Sequence, residues 1–229
     1  MKCLGNKDLK LKRPLYKSQI EAALRLHNNL NEWTDSERIL DTITCKFPKF
    51  DKDSILIKSV ILNTLYSTNV FAITRMSEHI YNLIKKSDVK KAGAELVEKI
   101  ACLPKTKEQV TDRRFHSFAA KFAHFFIDFE KFPILDSYAE WMLKYHLGRK
   151  LYRADREKRY HAFLENLNKL REISQIDSPY KEIDHYLWIA GEYHKWRNNH
   201  NAPINAMLKE LFSNPSRNAE MNLRRLTAI

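Results

Sequence analysis

Glycine is scarce, with 4 among 229 residues. Sheet proteins use glycine at many tight turns, so this scarcity argues against an all-β fold. Cys3, Cys45 and Cys102 are odd in number and far apart, without Cys-x-x-Cys or Cys/His metal spacing. They read as free thiols of a reducing compartment, which makes a cytoplasmic location the expectation, beside the nucleoid in a prokaryote. Long apolar runs are missing too, so no membrane span is expected. Met1 to Tyr16 is basic and lacks the apolar centre of a signal peptide. No GxGxxG, Walker loop, HExxH, GxSxG or zinc-deaminase pattern occurs. His194 and His200 flank a helix end, and His116 and His124 lie on or beside an apolar helix, so the histidines form no ligand array. Neither a metal nor a cofactor is expected.

What is abundant is positive charge. Lys and Arg number 40 against 28 Asp and Glu, a net charge of +12. Such an excess says little about fold and much about partners. A phosphate polymer binds lysines and arginines by releasing counterions, which makes double-stranded DNA the expected partner. With 44% hydrophobic and 30% charged residues, the chain can bury a core as one large domain or two small ones.

Helical spacing recurs throughout. Ile20, Ala23, Leu24, His27, Leu30 and Trp33 mark one helix, and residues 35–46 a second. Residues 53–65 are rich in β-branched side chains, but Lys58, Ser59, Asn63 and Thr64 recur at helical rather than alternating spacing. Ser67-Thr68-Asn69 offers N-cap chemistry for a helix over 70–86, and Asp88 for one over 89–103. Further helices are expected over 117–127, 137–147, 155–176, 179–198 and 203–212, with Pro179 and Pro203 near first turns. The expected fold is all-α, with two helical subdomains around a cleft. Residues 1–17 would form a basic arm, 52–135 a central subdomain with a hairpin-like segment, and 18–51 with 136–229 a second subdomain packing on it.

Two residues carry possible chemistry. Lys121 sits in the apolar, aromatic stretch 117–127, where burying an ammonium is costly. It reads either as a lysine snorkelling to the surface or as a functional amine. Asp136 follows a Pro133-Ile134-Leu135 turn where a helix begins, and reads either as a cap or as a functional acid.

Taken together, Phe115-His116-Ser117-Phe118-Ala119-Ala120-Lys121 and Pro133-Ile134-Leu135-Asp136 resemble the helix-hairpin-helix DNA glycosylase superfamily, nearest its 8-oxoguanine glycosylase branch. Trp141 follows close behind. Leu62 to Asn69 resembles that superfamily's early helix and the loop beside the flipped base. The resemblance spans about residues 55–141. It implies Lys121 as catalytic nucleophile and Asp136 as the catalytic aspartate, a carboxylate that stabilises developing charge or helps deprotonate the nucleophile. It also implies DNA contacts from Tyr66, Ser67, Thr68, Asn69, Arg113, Arg114, His116, Ser117 and Ala119, with Tyr66 or Asn69 filling the gap left by a flipped base. Ser117 and Ala119 stand where the family's hairpin has glycine, and the four-cysteine iron–sulfur cluster of some members has no counterpart. The basic stretch Arg149, Lys150, Arg153, Arg156, Lys158 and Arg159 is a second DNA candidate or a solvated helix face. Three functions stay open: a glycosylase with or without lyase activity, a non-catalytic DNA-binding module of the same fold in repair or defence, and a helical protein-interaction domain.

Overall fold

Apolar residues spaced three and four apart, with few glycines to interrupt them, favour helix along most of the chain. The computed structural model describes residues 10–86, 88–89, 91–105 and 113–227. Among these there are helices and no strand, so the fold is all-α as expected. In order they are α1 (Lys17–His27), α2 (Asn31–Lys46), α3 (Lys52–Leu65), α4 (Ile73–Ile84), α5 (Ala94–Ala101) and α6 (His116–Phe126). Then come α7 (Ser137–Leu151), α8 (Arg159–Ser174), α9 (Tyr180–Asn198), α10 (Ala206–Ser213) and α11 (Arg217–Leu226). No described helix is long and apolar enough to cross a membrane.

The helices form two units. The central unit comprises Asn31–Asp136 with Arg156–His161. The terminal unit takes the residues up to Leu30, Ser137–Asp155 and Ala162 onward. The boundary therefore falls at Asn31 and not at residue 52. The reason is α2, which packs on α3 and α6. Its Leu40 is fully buried, and its Thr44 hydroxyl donates to the Phe125 carbonyl at 3.3 Å.

In the central unit α3 and α5 both pack against α4 and α6, and α6 is buried nearly all round. Phe118, Phe122 and Phe126 recur every fourth residue, with neighbouring ring centroids 6.1 and 5.2 Å apart. Each buried ring stabilises the unit by about 1.5–3 kcal/mol. Asp51 caps α3 by accepting from the Ser54 amide at 2.8 Å. The helix expected over 53–65 forms, yet two of the polar residues that suggest it do not face water. Ser59 is fully buried, and Lys58 is 1% exposed. The Lys58 amine donates to the Lys49 carbonyl at 3.1 Å and sits 4.2 Å from the Phe50 ring centre. Burial, partly offset by Asp51, pulls its pKa down to about 8. Two expected caps are also displaced: α4 starts after Ala72 and α5 after Gly93, so neither Asn69 nor Asp88 caps a helix.

In the terminal unit α1 packs on α9 and α11, and α7 and α10 pack on α9. Gln19 donates to the Leu226 carbonyl at 3.1 Å, and Arg25 to Asn222 at 3.0 Å. At Gly191 of α9 an added Cβ would lie 2.9 Å from the Tyr138 Cβ, so only glycine admits this approach of α7. The described part of the basic N-terminal segment is no free arm. The Lys12 and Arg13 amides both donate to the His146 carbonyl, at 2.9 and 3.1 Å. There α7 is broken at Gly148, whose φ is 67°.

Candidate functional site

The central unit brings Lys121 and Asp136 together. Lys121 lies in the second turn of α6, and Asp136 is the last residue before α7. The Lys121 Nζ is 3.9 Å from Asp136 Oδ2, with the two side chains 8% and 20% exposed. One turn back along α6, Ser117 Oγ accepts a hydrogen bond from the same amine at 3.0 Å. Lys121 is therefore not a snorkelling lysine. It is a nearly buried cation held by a carboxylate and a hydroxyl.

Tyr66, just past the end of α3, adds an aromatic wall. Its ring centre is 5.8 Å from the Lys121 Nζ. It packs against Trp33 and Phe125, at centroid distances of 5.4 and 5.1 Å. Burial, reinforced by the nearby charges of Glu37 and Asp41, pushes its phenol far above the ordinary tyrosine range. Tyr66 thus stays a neutral ring at any physiological pH. Its ring is packed between Trp33 and Phe125, and to act as a wedge it would have to leave both.

The turn after Tyr66 is strained. Ser67 and Asn69 have φ of 44° and 57°, a left-handed conformation that costs a residue such as serine roughly 1–2 kcal/mol and that asparagine adopts more readily. Asn63 holds it: its Oδ1 accepts from the Thr68 hydroxyl at 2.7 Å and the Val70 amide at 3.0 Å, and its Nδ2 donates to the Val70 carbonyl at 3.3 Å. Ser67 and Asn69 are left exposed. Just beyond them Phe71 is 90% exposed, the most exposed large hydrophobic residue described. Sequence patterns mark neither Asn63 as the organiser of this turn nor Phe71 as its exposed ring.

The supposed hairpin residues divide. Residues 106–112 lie outside the described structure. Arg113 is exposed, its guanidinium 5.1 Å from the Phe115 ring centre. Arg114 is exposed but donates to the Glu157 carbonyl at 2.6 Å. His116, Ser117 and Ala119 belong to α6 and not to a hairpin loop, because the phenylalanine stripe carries the helix back to His116. Ala119 is fully buried and its amide donates to the Phe115 carbonyl at 2.9 Å, so that N–H is closed to a phosphate. His116 is 3% exposed and paired with Glu98 at 2.9 Å. Neither offers a surface for DNA. The N-cap residue of α6, Phe115, supplies no side-chain cap.

A family model described as HI_0787_N, N-terminal domain, matches residues 19–130. An uncharacterised protein of Haemophilus influenzae is 35% identical over 141 residues, covering 58% of this chain and 63% of the relative. The chain thus spans less than two thirds of that relative's length. No solved structure matches it. The family segment takes in Tyr66, the turn after it and Lys121, and stops short of Asp136.

Proposed function

We propose that the protein is a DNA glycosylase with abasic-site lyase chemistry, acting through Lys121 and Asp136. The observation that carries this reading is the 3.9 Å approach of the Lys121 amine to the Asp136 carboxylate beside the Tyr66 ring.

A duplex hides C1′ of each nucleotide, so the target must first be flipped out of the stack. Asp136 takes a proton from the Lys121 ammonium, leaving a neutral amine whose lone pair can attack. As the amine bonds to C1′, the glycosidic C–N bond breaks and the base leaves with the bonding pair, taking the proton that Asp136 holds. Asp136, a carboxylate again once it has given up that proton, stabilises the positive charge that develops at C1′. The bonded nitrogen then gives a proton to Asp136, its lone pair expels O4′, which takes that proton, and the opened sugar is held as a protonated Schiff base on Lys121. Ser117 holds the amine in place through its 3.0 Å hydrogen bond. The exposed turn at Ser67 and Asn69 and the exposed Arg113 supply phosphate contacts. Phe71 is the side chain available to enter the stack where the base has left, as apolar wedges do. The +12 net charge supplies the sequence-independent attraction.

The test is borohydride trapping on duplexes that carry an abasic site or a panel of damaged bases. Reduction of the Schiff base should join wild type covalently to DNA, and Lys121→Gln should form no adduct. Salt-sensitive DNA binding without any wild-type adduct would instead favour a non-catalytic DNA-binding module, with Lys121 and Asp136 as a structural ion pair. Absence of any nucleic-acid binding would leave a protein-interaction domain.

A further inference from the structure

The terminal unit holds a second basic site, separate in sequence from the first. It begins with a break in α7. Gly148, at φ 67°, turns the chain, and its missing side chain leaves room for Lys12: an added Cβ would stand 3.0 Å from the Lys12 Cβ. Two hydrogen bonds from the Lys12 and Arg13 amides to the His146 carbonyl pin the N-terminal segment there. Between this segment and α7 lies a cavity of about 530 Å³, within the ~300–1,000 Å³ range of small-molecule sites.

Its lining combines two chemistries. Lys12, Arg13, Lys144 and Arg149 supply four cations, and among the described lining residues none is acidic. Four like charges lining one cavity create a field that favours a bound anion. Trp141 and Tyr145 supply rings, one turn apart on α7 and stacked with centroids 5.6 Å apart at 26°. The Arg13 guanidinium lies 4.1 Å from the Tyr145 ring centre, yet Trp141 keeps 40% of its surface exposed. His194 packs against both rings, at 5.5 and 4.8 Å. Burial and the charges of Arg197 and Arg13 push its pKa down to about 4, so near neutral pH it supports the indole as an uncharged ring.

An inorganic anion would use the cations and leave the indole idle. An apolar ligand would use the rings and bury unpaired charge. A nucleotide has a flat base for the one and phosphate for the other. We infer that this cavity binds a nucleotide, its unpaired base stacked on Trp141 and its phosphate held by Lys12, Lys144 and Arg149. Four cations exceed the charge of one phosphate, which favours successive phosphates of a single strand over a free nucleotide. The site lies wholly within the terminal unit and does not depend on Lys121 chemistry.

Fluorescence anisotropy of the full chain with a labelled oligothymidylate, competed with dTMP, tests this inference. Trp141→Ala should weaken oligonucleotide binding about tenfold, and Trp141→Phe should restore most of it. Lys144→Glu with Arg149→Glu, both on exposed positions, should weaken it further and reduce the salt dependence by about 0.7 in log–log slope for each phosphate no longer neutralised. Performing the series in a Lys121→Gln background separates it from the glycosylase reading. Equal Trp141-dependent binding of dTMP would support the site with a free nucleotide as its ligand. Binding that Trp141→Ala and the double charge reversal both leave unchanged overturns the inference, as does no binding of either probe at low salt.

Discussion

His116 Nε2 lies 2.9 Å from Oε2 of Glu98, and the other oxygen of that carboxylate receives the amides of Tyr160 and His161 at 2.6 and 3.3 Å. One side chain on α5 thereby fixes the first residue of α6 and the first turn of α8. This explains why Arg156–His161 belongs to the central unit although the residues around it do not.

Burial alone would raise the Glu98 pKa. The hydrogen bond from His116, the Tyr160 amide, the charge on His116 and the His161 amide outweigh burial and hold it below the ordinary carboxylate range. A carboxylate lowered in the folded state contributes stability above its unfolded pKa, and that contribution is lost as pH falls through the folded value. Glu98→Gln should cost about 1.5–3 kcal/mol at neutral pH, the range for a hydrogen bond to a charged group. Denaturant melts at several pH values would check it. The gap between variant and wild type should narrow on the acid side, and a gap constant with pH would contradict the assignment.

Asp136→Asn keeps the size of the side chain and removes its charge. Adduct formation in the borohydride assay should fall by about 100-fold or more, the contribution of a positioned acid–base group. Affinity for the same duplex should not fall, since the change removes a charge that repels phosphate. Single-turnover trapping alongside anisotropy separates the two effects. Phe71→Ala should do the reverse at high DNA concentration, weakening binding while leaving Lys121 competent on an abasic site that needs no base expelled.

His146 makes a pH-dependent contribution in the opposite unit. Its Nδ1 is 3.0 Å from the Arg13 carbonyl, which can only accept, so Nδ1 carries the proton and Nε2 accepts from the Tyr186 hydroxyl at 2.8 Å. Burial drives its pKa down to about 4. The unfolded chain therefore binds a proton below about pH 6.5 that the folded chain refuses until about pH 4. Stability should fall through that window as pH is lowered, by on the order of 3 kcal/mol in total. The ring resonances of His146 should show no titration between pH 5 and 8 by NMR, and a midpoint near 6.5 would refute the arrangement.

Gly148→Ala should destabilise by about 2 kcal/mol, from the left-handed backbone and the approach of Lys12 together. Gly93→Ala is the matched control. An added Cβ there meets nothing within 4 Å and its φ is −117°, so thermal melting should be nearly unchanged.

Lys58→Met should stabilise the central unit by about 1–2 kcal/mol, because an apolar side chain of similar length needs no buried charge. With the lysine pKa lowered to about 8, wild-type stability should rise with pH between that value and 10.5, and the variant should lose this rise.

Lys58 also shows how a sequence pattern reaches a correct helix for a mistaken reason. Helical periodicity is visible at Lys58 and Ser59, but which face of α3 meets water is decided by its partners, and both residues point inward. Local chemistry misleads in a similar way at Asn69 and Asp88. Both are good caps in isolation, but Asn63 binds the turn over 67–70 and delays α4 to Ile73. The helix α11 is hard to read because Ala219, Leu223 and Leu226 form a narrow stripe among charged residues, and it takes its meaning from α1 at the far end of the chain. Lys121 and Asp136 are legible as residue types out of place, a lysine among phenylalanines and an acid after a proline turn. Glu98 is not, since nothing local distinguishes it from any other glutamate on a short helix. The cavity around Trp141 is half legible: Arg149 stands out in a basic stretch, while the juxtaposition with Lys12 depends on a long-range turn at Gly148.

The pairing of α1 with α11 and α9 has a consequence for how the chain emerges from the ribosome. About 200 residues separate α1 from the end of α11, so at ordinary elongation rates the apolar face of α1 waits for about 10–40 s before its partner is made. In the second half of that interval the helices of residues 31–136 can collect around α6, since most of the central unit has by then been synthesised. Assembly is thus ordered from the middle outward, and the nascent α1 is the segment for which a chaperone and premature aggregation compete.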